Sequence, residues 1–312
     1  MKYIFGPVPS RRLGQSLGID PIPSKTCNYQ CIYCQLGKTT NFTNLLQEFF
    51  PPDEILKELQ TAIDENQGEM DYITLVGSGE PTLYKRLDYL IKKIKEFTTK
   101  PICVITNGAL MCKEKVFDAL LMADVVLPTL DAGNKKKFIA INRPHPDIEF
   151  ERLVDSYIRF REQFSGEFWL EVMLMKGIND SEKELISIKK KLDLIKPKRI
   201  DINVPIRPPA EEWVDIPDKS VFHRLNRIFG KYGKDSEINF PEIGNFHKYS
   251  GNFEQELINI IERHPMREDQ IFKTFCNETL NQEQILGKLK KLSQNNEINK
   301  MLYKGKVFWK KL

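Results

Sequence analysis

The spacing of apolar and polar positions changes character along the chain. From about residue 16 to 240, short apolar runs alternate with longer stretches whose apolar positions recur every three or four residues. The runs at 16–20, 72–76, 102–106, 125–127, 168–175 and 199–204 predict strands. The stretches between them predict helices. One follows FFPPDE, where Asp53 can cap a helix over 53–62. Another follows Ser181, where Ser181 and Glu184 form an S-x-x-E capping box. Strands alternating with helices predict parallel βαβ units. Six of them predict an α/β fold of the partial (β/α)6 TIM-like barrel kind rather than a closed eight-fold barrel.

Near residue 243 the pattern breaks. The string EIGNFHKYSGN is polar, aperiodic and glycine-containing, which reads as a linker. The expected organisation is therefore a domain over 1–245, a linker at 246–252 and a second domain over 253–312. Amphipathic patterns at 253–263, 267–275 and 281–294 predict three short helices, with Pro265 between the first two. The tail EINKMLYKGKVFWKKL predicts a β-hairpin with Lys304 and Gly305 at its turn. Three helices and a hairpin predict a small C-terminal winged helix-turn-helix domain.

Composition sharpens this only in places. The chain has 312 residues, 41% hydrophobic and 29% charged, within the range of globular proteins and outside that of disordered chains. No apolar run approaches the roughly 20 residues that span a bilayer, and MKYIFGPVPSRRLG lacks a signal-peptide core. The expectation is a cytoplasmic protein with no membrane partner. The net charge of +4 does not mark the whole chain as a nucleic-acid binder. The charge is local: residues 287–312 carry eight Lys and one Glu, 8 − 1 = +7. Such a tail suits phosphates, although the predicted third helix lacks the arginines favoured for base readout, and docking of a protein partner fits it too.

Three of the six cysteines are clustered: Cys27, Cys31 and Cys34 in CNYQCIYC, spaced C-x3-C-x2-C. Three thiolates can hold three irons of a [4Fe–4S] cluster but not the fourth, because a closed cluster takes four cysteines. An iron lacking a protein ligand is an open position, where metal chemistry happens. Zinc would need a second Cys/His pair at ligand spacing, which the chain lacks, or a distant His beside Cys27. Buried structural thiols fit poorly with the polar Asn28, Gln30 and Gln35 in the same loop. The loop follows the first predicted strand, at the carboxyl edge where parallel α/β folds keep their sites.

A second motif, GSGEP, follows the strand YITLV and contains Gly77, Ser78, Gly79 and Glu80. Glycines there let backbone groups approach a ligand closely. Polar groups recur at later strand ends, with Thr106 and Asn107 after PICVI and Asp131 after VVLPT. Together they predict one pocket.

CNYQCIYC, with Tyr33 before the last cysteine, followed by GSGEP one βα unit later, resembles the radical S-adenosylmethionine superfamily. The strings GPVPSRRLGQSLGID, CQLGKT and GSGEPTL more narrowly resemble iron–sulfur oxidoreductases related to wyosine-forming tRNA enzymes. The resemblance covers roughly residues 5–208. It implies that Cys27, Cys31 and Cys34 bind a [4Fe–4S] cluster whose open iron takes the amino and carboxylate groups of S-adenosylmethionine. It implies Tyr33 near the adenine, and Gly77, Ser78, Gly79 and Glu80 at the methionine end, with Glu80 meeting the ammonium. Thr106, Asn107, Asp131 and Glu171 are the implied ribose or carboxylate contacts. Reductive cleavage would yield a 5′-deoxyadenosyl radical that abstracts hydrogen from a substrate, an RNA nucleoside by relationship. The alternatives are a radical enzyme acting on a protein or peptide held by the winged helix, and a nucleic-acid-binding redox sensor. The second cysteine motif of the wyosine enzymes is missing, since the first 26 residues contain no cysteine. This leaves a single cluster and an external one-electron donor of ferredoxin or flavodoxin type.

Other polar residues are weaker candidates. Arg11 and Arg12 could bind phosphate or carboxylate. Arg143 in NRPH, Arg207 in PIRPP and His145 lie in loops expected at the active edge and are the candidate catalytic residues. Trp169, Met173 and Met175 read as core strand positions, and the lysine run 189–191 as a solvated helix face.

Overall fold

The computed structural model describes residues 1–10, 12–66, 70–232 and 252–312. Arg11 and nearly all of the expected linker (246–251) lie outside the described residues. Among the described residues, seven strands form the principal sheet, in the order β1-β2-β5-β6-β7-β8-β9. These are β1 (Ile4–Ser10), β2 (Gly14–Ile19), β5 (Tyr72–Leu75), β6 (Ile102–Thr106), β7 (Val125–Pro128), β8 (Glu167–Met173) and β9 (Arg199–Asn203). A short parallel pair, β3 (Thr26–Cys27) and β4 (Asn41–Phe42), braces the cysteine loop. From β2 to β9 every pairing is parallel, and the curled sheet is a half barrel.

The six parallel strands stand where the apolar runs predicted them. The antiparallel edge strand β1 was not among those predictions. Its sequence, IFGPVPS, breaks the alternation with Gly6, Pro7 and Pro9, and the pairing shifts register between Phe5 and Val8. Proline removes a ladder donor and is tolerated on an edge, where one side of the strand needs no partner.

Helices α1 (Pro52–Asn66), α2 (Leu87–Phe97), α3 (Glu114–Leu121), α4 (Lys135–Asn142), α5 (Phe150–Gln163), α6 (Glu182–Ile195) and α7 (Ser220–Phe229) connect or follow the strands. In α2 the buried positions are Leu87, Leu90, Ile91 and Ile94, one apolar stripe at helical spacing. Ser181 caps α6 by accepting from the Glu184 amide. Strand β7 is buried at all four positions, as expected for a parallel strand covered on both faces. The concave face also carries buried hydroxyls, with Ser16 Oγ and Thr74 Oγ1 2.6 Å apart.

Residues 252–312 build a second apolar core around Phe253, Leu257, Ile261, Phe275, Leu289 and Trp309. It is formed by α8 (Phe253–Arg263), β10 (Met266–Arg267), α9 (Glu268–Phe275), α10 (Gln282–Gln294), β11 (Ile298–Tyr303) and β12 (Lys306–Lys311). The strands pair antiparallel in the order β10-β12-β11, and Lys304 and Gly305 both take positive φ at the hairpin turn. This C-terminal unit bridges the two ends of the principal sheet. Asn259 Nδ2 donates to the Ile4 carbonyl on β1 at 3.0 Å, and Tyr303 Oη donates to the Pro205 carbonyl just after β9 at 2.7 Å. Among the described residues, no helix is long and apolar enough to cross a membrane.

Candidate active site

A cavity of about 400 Å³ opens at the carboxyl ends of the parallel strands, within the size range of small-molecule sites. Cys27, Cys31 and Cys34 line it together with the loop of Gly77, Ser78, Gly79 and Glu80. The cysteine loop leaves β2, turns at Lys25 with φ +56°, and closes in two tight turns, Cys34 N to Cys31 O and Gly37 N to Cys34 O, both 3.1 Å. Two asparagines reach the sulfurs: Asn107 Nδ2 lies 3.7 Å from Cys27 Sγ, and Asn142 Nδ2 lies 3.6 Å from Cys31 Sγ.

Burial is the main cause that pushes all three thiols above their usual range; Glu80 adds to it at Cys27, and Cys27 adds to it at Cys31. Deprotonating three neighbouring half-buried thiols is therefore costly unless positive charge arrives with them. Iron supplies that charge. Among the described residues no three His, Cys, Asp or Glu side chains sit close enough to hold one ion, whereas a cluster takes one thiolate per iron. The donor set fits a [4Fe–4S] cluster.

Close packing within the protein by itself requires the glycines of GSGEP. A Cβ on Gly77 would stand 1.9 Å from Asp20 Oδ1, and one on Gly79 would stand 1.9 Å from the Thr26 carbonyl oxygen. The protein's own atoms fill both places. Glu80 is 2% exposed and tied into the fold. Its Oε1 accepts from the Thr82 amide at 3.0 Å and from Thr106 Oγ1 at 2.5 Å, and its Oε2 accepts from the Asn107 amide at 2.7 Å. Burial raises its pKa while these donors pull it back. Glu80 thus borders the cavity as a clamp between two strand ends, with its oxygens already engaged by protein.

Asp131 does not border the cavity, contrary to the sequence expectation. Its Oδ2 accepts from Tyr33 Oη at 2.6 Å and Asn142 Nδ2 at 2.8 Å, and its Oδ1 accepts from the Met173 amide at 2.8 Å. Burial pushes its carboxyl up to about 6. With three internal donors, this carboxylate holds the cysteine loop through Tyr33. Thr106 and Asn107 do border the cavity; Asn107 Nδ2 also donates to Asn28 Oδ1 at 2.6 Å.

Glu171 lines the cavity in an ion pair with Arg12. Arg207 lines it as well, its Nη1 donating to Gln35 Oε1 and its Nε to the Pro265 carbonyl, each at 3.2 Å. The other two catalytic candidates fall outside the cavity lining. Arg143 sits in the left-handed cap that ends α4 and pairs with Glu211. His145 packs against the Phe42 ring with centroids 5.4 Å apart and points toward Asp147. Sequence reasoning missed Asp20, Asn142, Arg263 and His264. Asp20 ends the string GPVPSRRLGQSLGID and Asn142 begins NRPH, but nothing in the sequence pairs them with the site, and tertiary packing brings all four there.

A half-barrel of parallel strands with three cysteines and a glycine–glutamate loop at one edge defines a metallocofactor enzyme of the TIM-like class. The Radical SAM superfamily pattern matches residues 22–187, and the chain belongs to that superfamily. It is an enzyme of that class, and the class uses a [4Fe–4S] cluster and S-adenosylmethionine. The chain is 36% identical over 315 residues to the UPF0026 protein of Methanocaldococcus jannaschii, covering 100% of this chain and 96% of that protein. It is 41% identical over 308 residues to a protein named GTPase Obg in Brachyspira hyodysenteriae, covering 97% of this chain but only 44% of that protein. A solved structure of TYW1 with a lysine-pyruvate adduct bound is similar in fold, with a TM-score of 0.53 and 17% identity over 71% of this chain and 74% of that one.

Proposed function

We propose that this protein holds a single [4Fe–4S] cluster on Cys27, Cys31 and Cys34 and binds S-adenosylmethionine in the adjoining cavity. When bound, the pair supplies reductive cleavage of the S–C5′ bond and a 5′-deoxyadenosyl radical that takes hydrogen from a substrate. The observation that carries the reading is that the three thiols and the loop of Gly77, Ser78, Gly79 and Glu80 line one cavity at the carboxyl edge of the sheet. Asn107 and Asn142 would donate to two of the cluster sulfurs. Glu80 would fix the loop's shape, leaving the backbone groups of Ser78 and Gly79 to meet the methionine end. The electron would come from a separate ferredoxin- or flavodoxin-type donor in the cytoplasm.

We read residues 253–312 as a winged-helix domain and the substrate as an RNA nucleoside. The support is the +7 charge of residues 287–312 together with the exposure of Lys290, Lys291, Lys300 and Lys306, which would meet phosphates through charge. Anaerobically reconstituted protein given dithionite and S-adenosylmethionine should release 5′-deoxyadenosine. Release no greater than from a Cys34→Ala control would refute the enzyme reading. Replacing the four exposed lysines by Glu should abolish tRNA retention at moderate salt; undiminished retention would remove the RNA reading.

A further inference from the structure

Arg263, the last residue of α8, is 8% exposed and reaches the cavity from the C-terminal unit. Its Nε donates to Asp20 Oδ2 at 2.8 Å, its Nη2 to the Lys2 carbonyl at 2.8 Å and its Nη1 to the Asn259 carbonyl at 2.9 Å. The guanidinium also lies over the Phe5 ring, 5.2 Å from its centroid. Asp20 follows β2 and is 1% exposed. The same Oδ2 that meets Arg263 accepts from the Ser78 amide at 3.1 Å and from Ser78 Oγ at 2.8 Å. Asp20 Oδ1 is buried under Gly77, where a Cβ would collide with it. Burial pushes the Asp20 carboxyl up, and Arg263 is the main influence that draws it back down. A buried carboxylate without its cation is strongly disfavoured, so Arg263 favours the charged form of Asp20 and fixes its position.

The same turn also reaches the cysteine loop. Gln35, beside Cys34, donates through Nε2 to the Arg263 carbonyl at 3.2 Å, and Arg207 spans Gln35 Oε1 and the Pro265 carbonyl. Residues 263–265 thus touch supports of both halves of the site, the loop carrying Ser78 and the residue after the last cysteine.

We propose that Arg263 is a positioning residue for the S-adenosylmethionine pocket: through Asp20 it holds Ser78 and its loop in the binding shape, so the C-terminal unit completes the cofactor site. The inference rests on the radical S-adenosylmethionine reading above. It makes the C-terminal unit a wall of the active site as well as a carrier of exposed charge.

The test uses the full-length, anaerobically reconstituted protein. Iron per chain, thermal midpoint, the Kd for S-adenosylmethionine, and the electron paramagnetic resonance spectrum of the reduced cluster with and without S-adenosylmethionine are measured. Arg263→Ala should keep wild-type iron and raise Kd on the order of tenfold, equivalent to about 1.4 kcal/mol. The spectral change caused by S-adenosylmethionine should vanish at a concentration that saturates the wild type and return at higher concentration. Arg263→Lys, which restores a cation opposite Asp20, should recover most of the affinity. If Arg263→Ala does not fold, the isosteric Asp20→Asn carries the test, with Kd raised about threefold. A lower thermal midpoint with wild-type Kd and spectral response, in whichever of the two folds, would overturn the inference. Failure of the wild type itself to bind S-adenosylmethionine would overturn the underlying reading, a result seen in a different arm.

Discussion

Thr106 Oγ1 donates to Glu80 Oε1 at 2.5 Å and ties the end of β6 to the loop that follows β5. Thr106 is itself the last residue of its strand, and both side chains are buried. The clamp continues through the Asn107 amide to Glu80 Oε2, so the carboxylate sets the spacing of two neighbouring strand ends.

Glu80→Gln is accordingly expected to destabilise the protein by about 3 kcal/mol, since an amide nitrogen must turn toward donors that would lose their acceptor. S-adenosylmethionine affinity should fall with it. Denaturant unfolding of the two proteins measures the first effect, and a change below about 1 kcal/mol would contradict the clamp.

Asn142 and Asn107 donate to the sulfurs of Cys31 and Cys27. Hydrogen bonds to cluster thiolates stabilise the reduced, more negative state. Asn142→Ala should lower the cluster's reduction potential on the order of 50 mV, the one-electron equivalent of a hydrogen bond of about 1 kcal/mol. Asn142 also supports Asp131, so Asn107→Ala serves as a second variant. Redox titration without S-adenosylmethionine reads both; an unchanged or raised potential in both would count against the contacts.

The Asp131 carboxyl is pushed up to about 6 by burial, against an ordinary value near 3.9. A raised folded value means that the folded state binds the proton more tightly. This contribution to stability is present below about pH 4 and is lost as pH rises through about 6. Asp131→Asn should therefore flatten the dependence of the thermal midpoint on pH between 4.5 and 6.5, read in cluster-free protein. A wild-type slope retained in the variant would assign the titration elsewhere.

Two glycine substitutions should act in opposite directions. Gly79→Ala places a Cβ against the Thr26 carbonyl oxygen, which is backbone and cannot swing aside, so loss of more than about 2 kcal/mol and of S-adenosylmethionine binding is expected. Gly287 lies inside α10 with nothing within 4 Å of its Cβ position, so Gly287→Ala should stabilise by about 0.5–1 kcal/mol. Thermal and denaturant unfolding report both signs.

The parallel core was readable because strands buried on both faces are written as uninterrupted apolar runs, as in ICVIT and VVLP. The three thiols were readable because ligands within one loop keep their spacing whatever the surrounding fold does. Strand β1 was not, since proline and glycine erase the alternation by which an edge strand is recognised. The internal contacts of Glu80 and Asp131 were hidden for another reason. A carboxylate looks the same in sequence whether it faces a ligand or three internal donors, and only the packing around it says which. Asp20 and Arg263 are 243 residues apart, and no sequence pattern links the two positions. That pairing, and with it the C-terminal wall of the cavity, exists only once the chain has brought α8 across the open side of the sheet. The cysteine spacing is local chemistry and survives in one dimension; the shape of the pocket beside it depends on contacts distant in sequence.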